Sequence, residues 1–258
     1  MNAHKGKPLY FYTYLLFIVL LPFKTFLSLA IILVAFSVLL TQPFKVTKSN
    51  FLKSKGHLLF ISTYIIYLLG LIYTENIDFG LREIEYKLSL LVMPIIIGAT
   101  PKFSKTNTTR LLSAFVISTL ISGLICIGYS LIETSFNNIQ KYNELSLFIS
   151  PNYFSLYIDF CIIILFHQLS EKQTRFEVSA RLLGVIFLLS LNLLLTSKMG
   201  ILIMILILIY YAVKYINKFS KKITIVITIT TLLVGFLGVK NNPRILERFS
   251  SATSALFS

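Results

Sequence analysis

Long apolar runs separated by short polar clusters dominate this chain, and that pattern predicts membrane-spanning helices rather than the mixed faces of a water-soluble fold. Nine spans are predicted, at about 9–21, 25–41, 57–73, 88–100, 110–132, 151–168, 181–196, 199–216 and 222–239. A continuous helix from 9 to 41 would be about 50 Å long, too long for a hydrocarbon core of about 30 Å. Pro22 and Lys24 supply the break. The span at 88–100 carries Pro94 and is expected to kink there. Ahead of it, in "TENIDFGLREIEYKLSLL", Ile77, Leu81, Ile84, Leu88 and Leu91 recur at spacings of four and three, one face of a helix. Asp78 with Arg82 and Glu83 with Lys87 stand four apart in the favourable acid-first order. This stretch, near 75–87, is expected to lie as an amphipathic helix on the outer membrane surface.

The cations orient these spans. With all nine in place, sixteen of the 24 Lys and Arg residues fall on the side of the N-terminus, in the N-terminal segment itself and in the loops around 42–56, 101–110, 169–181 and 214–222. Deleting the span at 88–100 would divide them eleven against thirteen and erase the bias, so the positive-inside rule favours keeping it. The N-terminus is then inside and the C-terminus outside. Residues 1–239 form one transmembrane domain of the all-α class, a polytopic helical bundle, and 240–258 begin an extracytoplasmic loop. The apolar run after His4, Lys5 and Lys7 lacks a small-x-small cleavage site and is taken as a retained first span. Lys198, in "LLLTSKMGILIMIL", falls at the outer turn of a hairpin and not in mid-membrane, where a cation would cost a few kcal/mol or more.

Composition agrees. Hydrophobic residues make up 56% of the chain, charged residues 13%, and mean hydropathy is +0.81. The net charge of +14 lies in clusters between apolar runs, where it sets topology, so nucleic acid is not an expected partner. Cys126 and Cys161 both fall within spans and build neither a disulfide framework nor a metal site. His4, His57 and His167 map to the inner face or its boundary. No P-loop, HExxH, G-x-S-x-G or metal-ligand cluster occurs, and neither a metal nor a cofactor is expected.

Three outer-facing features could carry chemistry. "TSKMG" places Lys198 beside Gly200 between two spans, either to bind an anion or to cap a tight hairpin. "SPNYFSLYIDF" sets Pro151 near the first turn of a span, Tyr153 and Tyr157 at the interface, and Asp159 about two turns deeper. An acid at that depth needs a partner, either a hydrogen bond inside the bundle or an outer cation. "NNPRILERFSSA" puts Arg244 and Arg248 four apart, on one face if helical, either to bind an anion or as a solvated face. Arg82 and Lys87, on the surface helix, would meet either ordinary headgroups or a lipid-linked anion.

The interfacial helix running into "KLSLLVMP", then "PNYFSLY" opening a span, "LLLTSKMG" joining two spans and "NPRILERF" opening an outer segment together resemble the O-antigen ligase family, which is related to O-antigen polymerases. The resemblance covers the chain from about residue 60 onward. It implies a bacterial inner-membrane glycosyltransferase that moves a glycan from an undecaprenyl diphosphate carrier to a lipid A core, or to a growing glycan in the polymerases, at the periplasmic face. Its donor, its acceptor and membrane lipids would be the partners. Lys198 stands where many members have Ser-Arg, so a point charge replaces a bidentate guanidinium. Ser150 and Pro151 stand where relatives often have a histidine. Family members continue through a long basic periplasmic loop and further spans, so the chain is expected to be C-terminally truncated at Ser258. Lys198, Arg244, Arg248, Arg82 and Lys87 would bind the diphosphate and stabilise it as leaving group. The catalytic base is unassigned, with Glu247 one candidate. The other readings are a polysaccharide polymerase and, from another class, a transporter or flippase. The latter would favour repeats and several deep ionisable groups, whereas the sequence shows no repeat and one clear deep acid, Asp159.

Overall fold

A computed structural model of the chain describes residues 9–41, 56–133, 146–170, 174–195 and 197–215. Among these, every regular element is helical: α1 (Leu9–Leu20), α2 (Leu27–Thr41), α3 (Gly56–Gly70), α4 (Ile77–Tyr86), α5 (Ser89–Ala99), α6 (Lys105–Glu133), α7 (Pro151–Leu169), α8 (Arg175–Leu195) and α9 (Lys198–Tyr215), with single 3-10 turns at Leu21–Phe23 and Leu71–Tyr73. Four stretches, Gly56–Tyr73, Lys105–Ser130, Pro151–Leu169 and Arg175–Leu195, are long and apolar enough to cross a membrane. The outward side chains are apolar too: Ile32, Phe36, Leu39, Leu59 and Ile66 are each more than half exposed. Apolar surface on this scale suits lipid and not water. The expected span at 222–239 lies outside the described residues.

The break expected at Pro22 is present. The helix tightens into a 3-10 turn at Leu21–Phe23, and Lys24 and Phe26 take left-handed backbone angles (φ 57° and 56°) before α2 begins. Such angles cost a side-chain-bearing residue about 1–2 kcal/mol each, so the reversal here is enforced by its surroundings. The span expected at 88–100 is shorter than the bilayer core: α5 has 11 residues, a length of about 16 Å. It continues almost without interruption from α4, through Lys87 N to Glu83 O and Val92 N to Leu88 O.

The described residues fall into two compact units, the first within Met1–Leu21 and Thr25–Ala114, the second within Pro22–Lys24 and Phe115–Ser258. The first is built on a core of Phe11, Tyr14, Val34, Val38, Ile96, Ala99 and Leu111. Phe103 receives the rings of Phe11 and Tyr14 edge-on at 6.2 and 5.3 Å. Hydroxyls tie the helices: Thr13 and Ser37 share a hydrogen bond of 2.7 Å between α1 and α2. Thr100 gives its proton to the Ile96 carbonyl, so Tyr14 donates to Thr100, at 2.7 Å.

In the second unit α7 and α8 run antiparallel. The pairs Ser197 with Asn152, Asn192 with Asp159, a Gly184 close approach to Leu165, and Arg181 with the Gln168 carbonyl succeed one another from end to end. The start of α8 is fixed by a reciprocal cap, in which Thr174 N donates to Glu177 at 3.0 Å and Glu177 N to the Thr174 hydroxyl at 3.4 Å. The α9 helix lies parallel to α7, from Gly200 against Ser155 to the Tyr211 hydroxyl on the Ile163 carbonyl. In α6, Gly123 admits Leu191 and Phe187 of α8: a Cβ there would stand 2.5 Å from a Leu191 methyl. Small residues at such crossings let helices approach in a membrane, where apolar burial supplies no net drive between them.

Candidate functional site

Two of the sequence motifs, 45 residues apart, meet in the second unit. Pro151 occupies the first turn of α7 as expected, since its missing N–H is not needed there. Lys198 opens α9 at the turn after Leu195, and it is exposed. Ser197 joins the two helix starts: its hydroxyl donates to Asn152 Oδ1 at 3.1 Å and accepts from Gly200 N at 3.3 Å, capping α9. Because α7 and α9 are parallel, both helix N-termini, with their partial positive charge, lie at the same end as the Lys198 ammonium.

Below this end sits a buried polar cluster. Asp159 is 2% exposed, and Asn192 and Ser155 are fully covered. Asn192 Nδ2 donates to Asp159 Oδ1 at 2.7 Å, which is the bundle hydrogen bond expected for this acid. Asp159 Oδ2 and Asn192 Oδ1 have no hydrogen-bond partner among the described residues. The Ser155 hydroxyl donates to the Asn152 carbonyl at 3.0 Å. Gly200 is what lets α9 close over the cluster: a Cβ at this position would lie 2.3 Å from Ser155 Oγ and 3.0 Å from Asn192 Oδ1. Asn192 was not among the residues singled out from sequence. An isolated amide in an apolar run, on the helix after one bearing a deep acid, is the signal that points to it.

Arg82 and Lys87 belong to the first unit and Lys198 to the second. On the amphipathic α4, Asn76 caps the start by accepting from Phe79 N at 3.0 Å. Of the five predicted apolar positions, Ile77 and Leu81 are exposed and Ile84 half-buried on α4, while Leu88 and Leu91 fall beyond its end. Of the two expected ion pairs only one forms: Lys87 meets Glu83, while Asp78 and Arg82 make no ion pair. Exposed pairs of this kind gain only a few tenths of a kcal/mol, too little to hold an exposed arginine in place. The Glu83 carboxylate holds the Lys87 ammonium above the ordinary lysine range, and Lys87 also lies 4.7 Å from the centre of the Tyr67 ring. Lys87 is thus engaged by its own unit, whereas Arg82 is open to solvent. Arg244, Arg248 and Glu247 lie outside the described residues.

A cavity of about 1070 Å³ occurs in the first unit, lined among others by Tyr14, His57, Phe60, Met93, Pro94 and Lys102. Arg82 and Lys87, the cations of this unit expected to bind a diphosphate, do not line it. Cys126 and Cys161 are buried free thiols. No group of three or more His, Cys, Asp or Glu able to hold a metal occurs among the described residues.

Compared with protein-family models, with curated proteins and with solved structures, the chain finds no match in any of the three.

Proposed function

We propose that this membrane protein is an O-antigen ligase-like glycosyltransferase of a bacterial inner membrane. It takes a glycan from an undecaprenyl diphosphate carrier at the outer face and passes it to a lipid A core or similar acceptor. One observation carries the reading: Lys198 stands exposed at the end where the N-termini of α7 and α9 come together, linked by Ser197 and Asn152. A multiply charged diphosphate is stabilised by such an arrangement, and more so as it departs with the bonding electrons of the glycosidic bond. Lys198 acts as a point charge, with the helix ends behind it supplying oriented N–H groups.

The test is surface glycan attachment in cells that depend on this protein. Lys198→Ala is expected to reduce attachment about tenfold or more and Lys198→Arg to retain it. Attachment unchanged in Lys198→Ala would overturn the role. Single repeats on the acceptor, in place of bare acceptor with accumulated lipid-linked glycan, would make the protein a polymerase.

A second reading, an ion-coupled transporter or flippase, is favoured by the deep carboxylate of Asp159. Substrate flux in vesicles that follows an ion gradient, and loses that response in Asp159→Asn, would select it over glycan transfer.

A further inference from the structure

Asp159 lies in the core of the α7–α8–α9 packing, 2% exposed, and makes no salt bridge among the described residues. A carboxylate in such a place is costly unless a positive charge reaches it. Its one hydrogen bond among the described residues comes from a neutral amide, Asn192 Nδ2 at 2.7 Å, which leaves the charge of an ionised Asp159 uncompensated. Two acceptor oxygens, Asp159 Oδ2 and Asn192 Oδ1, are buried on the two halves of this pair without partners among the described residues. Ser155 stands four residues before Asp159, on the same face of α7. Its oxygen and Asn192 Oδ1 both lie within 3.0 Å of the point where a Gly200 Cβ would stand. With its own proton directed to the Asn152 carbonyl, the Ser155 oxygen keeps lone pairs for a further partner.

What is missing here is an electropositive partner for a set of oxygen atoms. A water molecule could donate to both orphan acceptors but would leave the negative charge buried. A lysine or arginine would need to reach in, and none among the described residues does so by an ion pair. A small cation without its hydration shell supplies both the charge and the coordination. Oxygen donors of the carboxylate, amide carbonyl and hydroxyl kinds select hard ions, and a single carboxylate balances a single charge.

We propose that Asp159, Asn192 and Ser155 bind a desolvated monovalent cation of the sodium type, between α7, α8 and α9 and beneath the Lys198 turn. The inference rests on neither functional reading: a structural ion would fix the three helices under a transferase site, and an exchangeable one would serve a transporter.

The experiment is thermal unfolding of the full chain in detergent at fixed pH and ionic strength, with sodium replacing N-methylglucamine. Potassium is run in parallel, and radioactive sodium is counted per chain. Saturable stabilisation by sodium is expected, with Tm rising about 5–10 °C at a hundred times Kd, and one ion bound per chain. Asp159→Asn, which keeps the side chain's shape, is expected to abolish both effects. Ser155→Ala is expected to raise the half-saturating concentration about tenfold while leaving the fold intact, which covers the case in which Asp159→Asn does not fold. Three results would overturn the proposal: a wild-type chain equally stable in sodium, potassium and N-methylglucamine, stabilisation untouched by both substitutions, or stability that follows pH alone with no alkali-cation effect.

Discussion

The first unit closes its helices with aromatic rings and paired hydroxyls, the second with amides, hydroxyls and one acid. Around Phe103 the polar atoms are neutral and complete one another: Thr13 with Ser37, Tyr14 with Thr100, Thr100 with the Ile96 carbonyl. Around Asp159 the polar set includes an ionisable acid, and two of its atoms stay unpaired among the described residues. Both devices suit a bilayer, where helices adhere by packing and hydrogen bonds. Neutral hydroxyl pairs are sufficient for that purpose. A buried acid exceeds it, and the excess is what marks the second unit as the place to look for a ligand.

Four substitutions press on this contrast. The largest effect is expected at Phe11, 2% exposed in the first core: Phe11→Ala should cost about 3–5 kcal/mol, read from unfolding in detergent. A loss below about 1 kcal/mol would mean that the aromatic core does not hold the first unit. Next, Asn192→Leu removes the donor to a buried carboxylate and should cost about 2–3 kcal/mol. Were it neutral, Asp159 would not depend on its amide and the two units would be alike. Glycines give the third test. Gly200→Ala places a Cβ 2.3 Å from Ser155 Oγ and 2.5 Å from Ser155 Cβ, so about 1–3 kcal/mol is expected, whereas Gly56→Ala meets nothing within 4 Å and should stay within about 0.5 kcal/mol.

The smallest effect concerns Lys87. Its folded pKa is raised by Glu83, so the stability it contributes is complete below the ordinary lysine value and is lost as pH rises through the higher folded one. An alkaline step in the unfolding of the wild-type chain should therefore vanish in Glu83→Gln. A step of equal size in both would assign the titration to another group.

Much of the architecture was legible in the residues themselves. Pro22 ends one helix and Pro151 begins another for reasons carried by the proline ring, and the 4-3-4-3 recurrence from Ile77 produced a helix with an uncovered apolar face. The start of α9 at Lys198 agrees with the hairpin turn that the topology count placed there. Pairings were harder. Glu83–Lys87 and Asp78–Arg82 have identical spacing, yet only the former closes, because Tyr67 and Glu83 engage the Lys87 ammonium together. Asn192 stayed hidden because its partner is 33 residues away and the register of two antiparallel helices is set by packing, which local periodicity does not encode. The meeting of Asn152 with Ser197 is of the same kind.

The depth of Asp159 has an electrical consequence. Seven residues of α7 separate it from Asn152, a drop of about 10 Å, or about a third of a hydrocarbon core of about 30 Å. A cation reaching it from the Lys198 end would cross roughly a third of the transmembrane field, at about 2.3 kcal/mol per charge per 100 mV for the whole drop. Its affinity would then change about fourfold for every 100 mV. Energised vesicles and collapsed ones should hold the ion with measurably different grip, and the sign of that difference would report which side of the membrane the Lys198 turn faces.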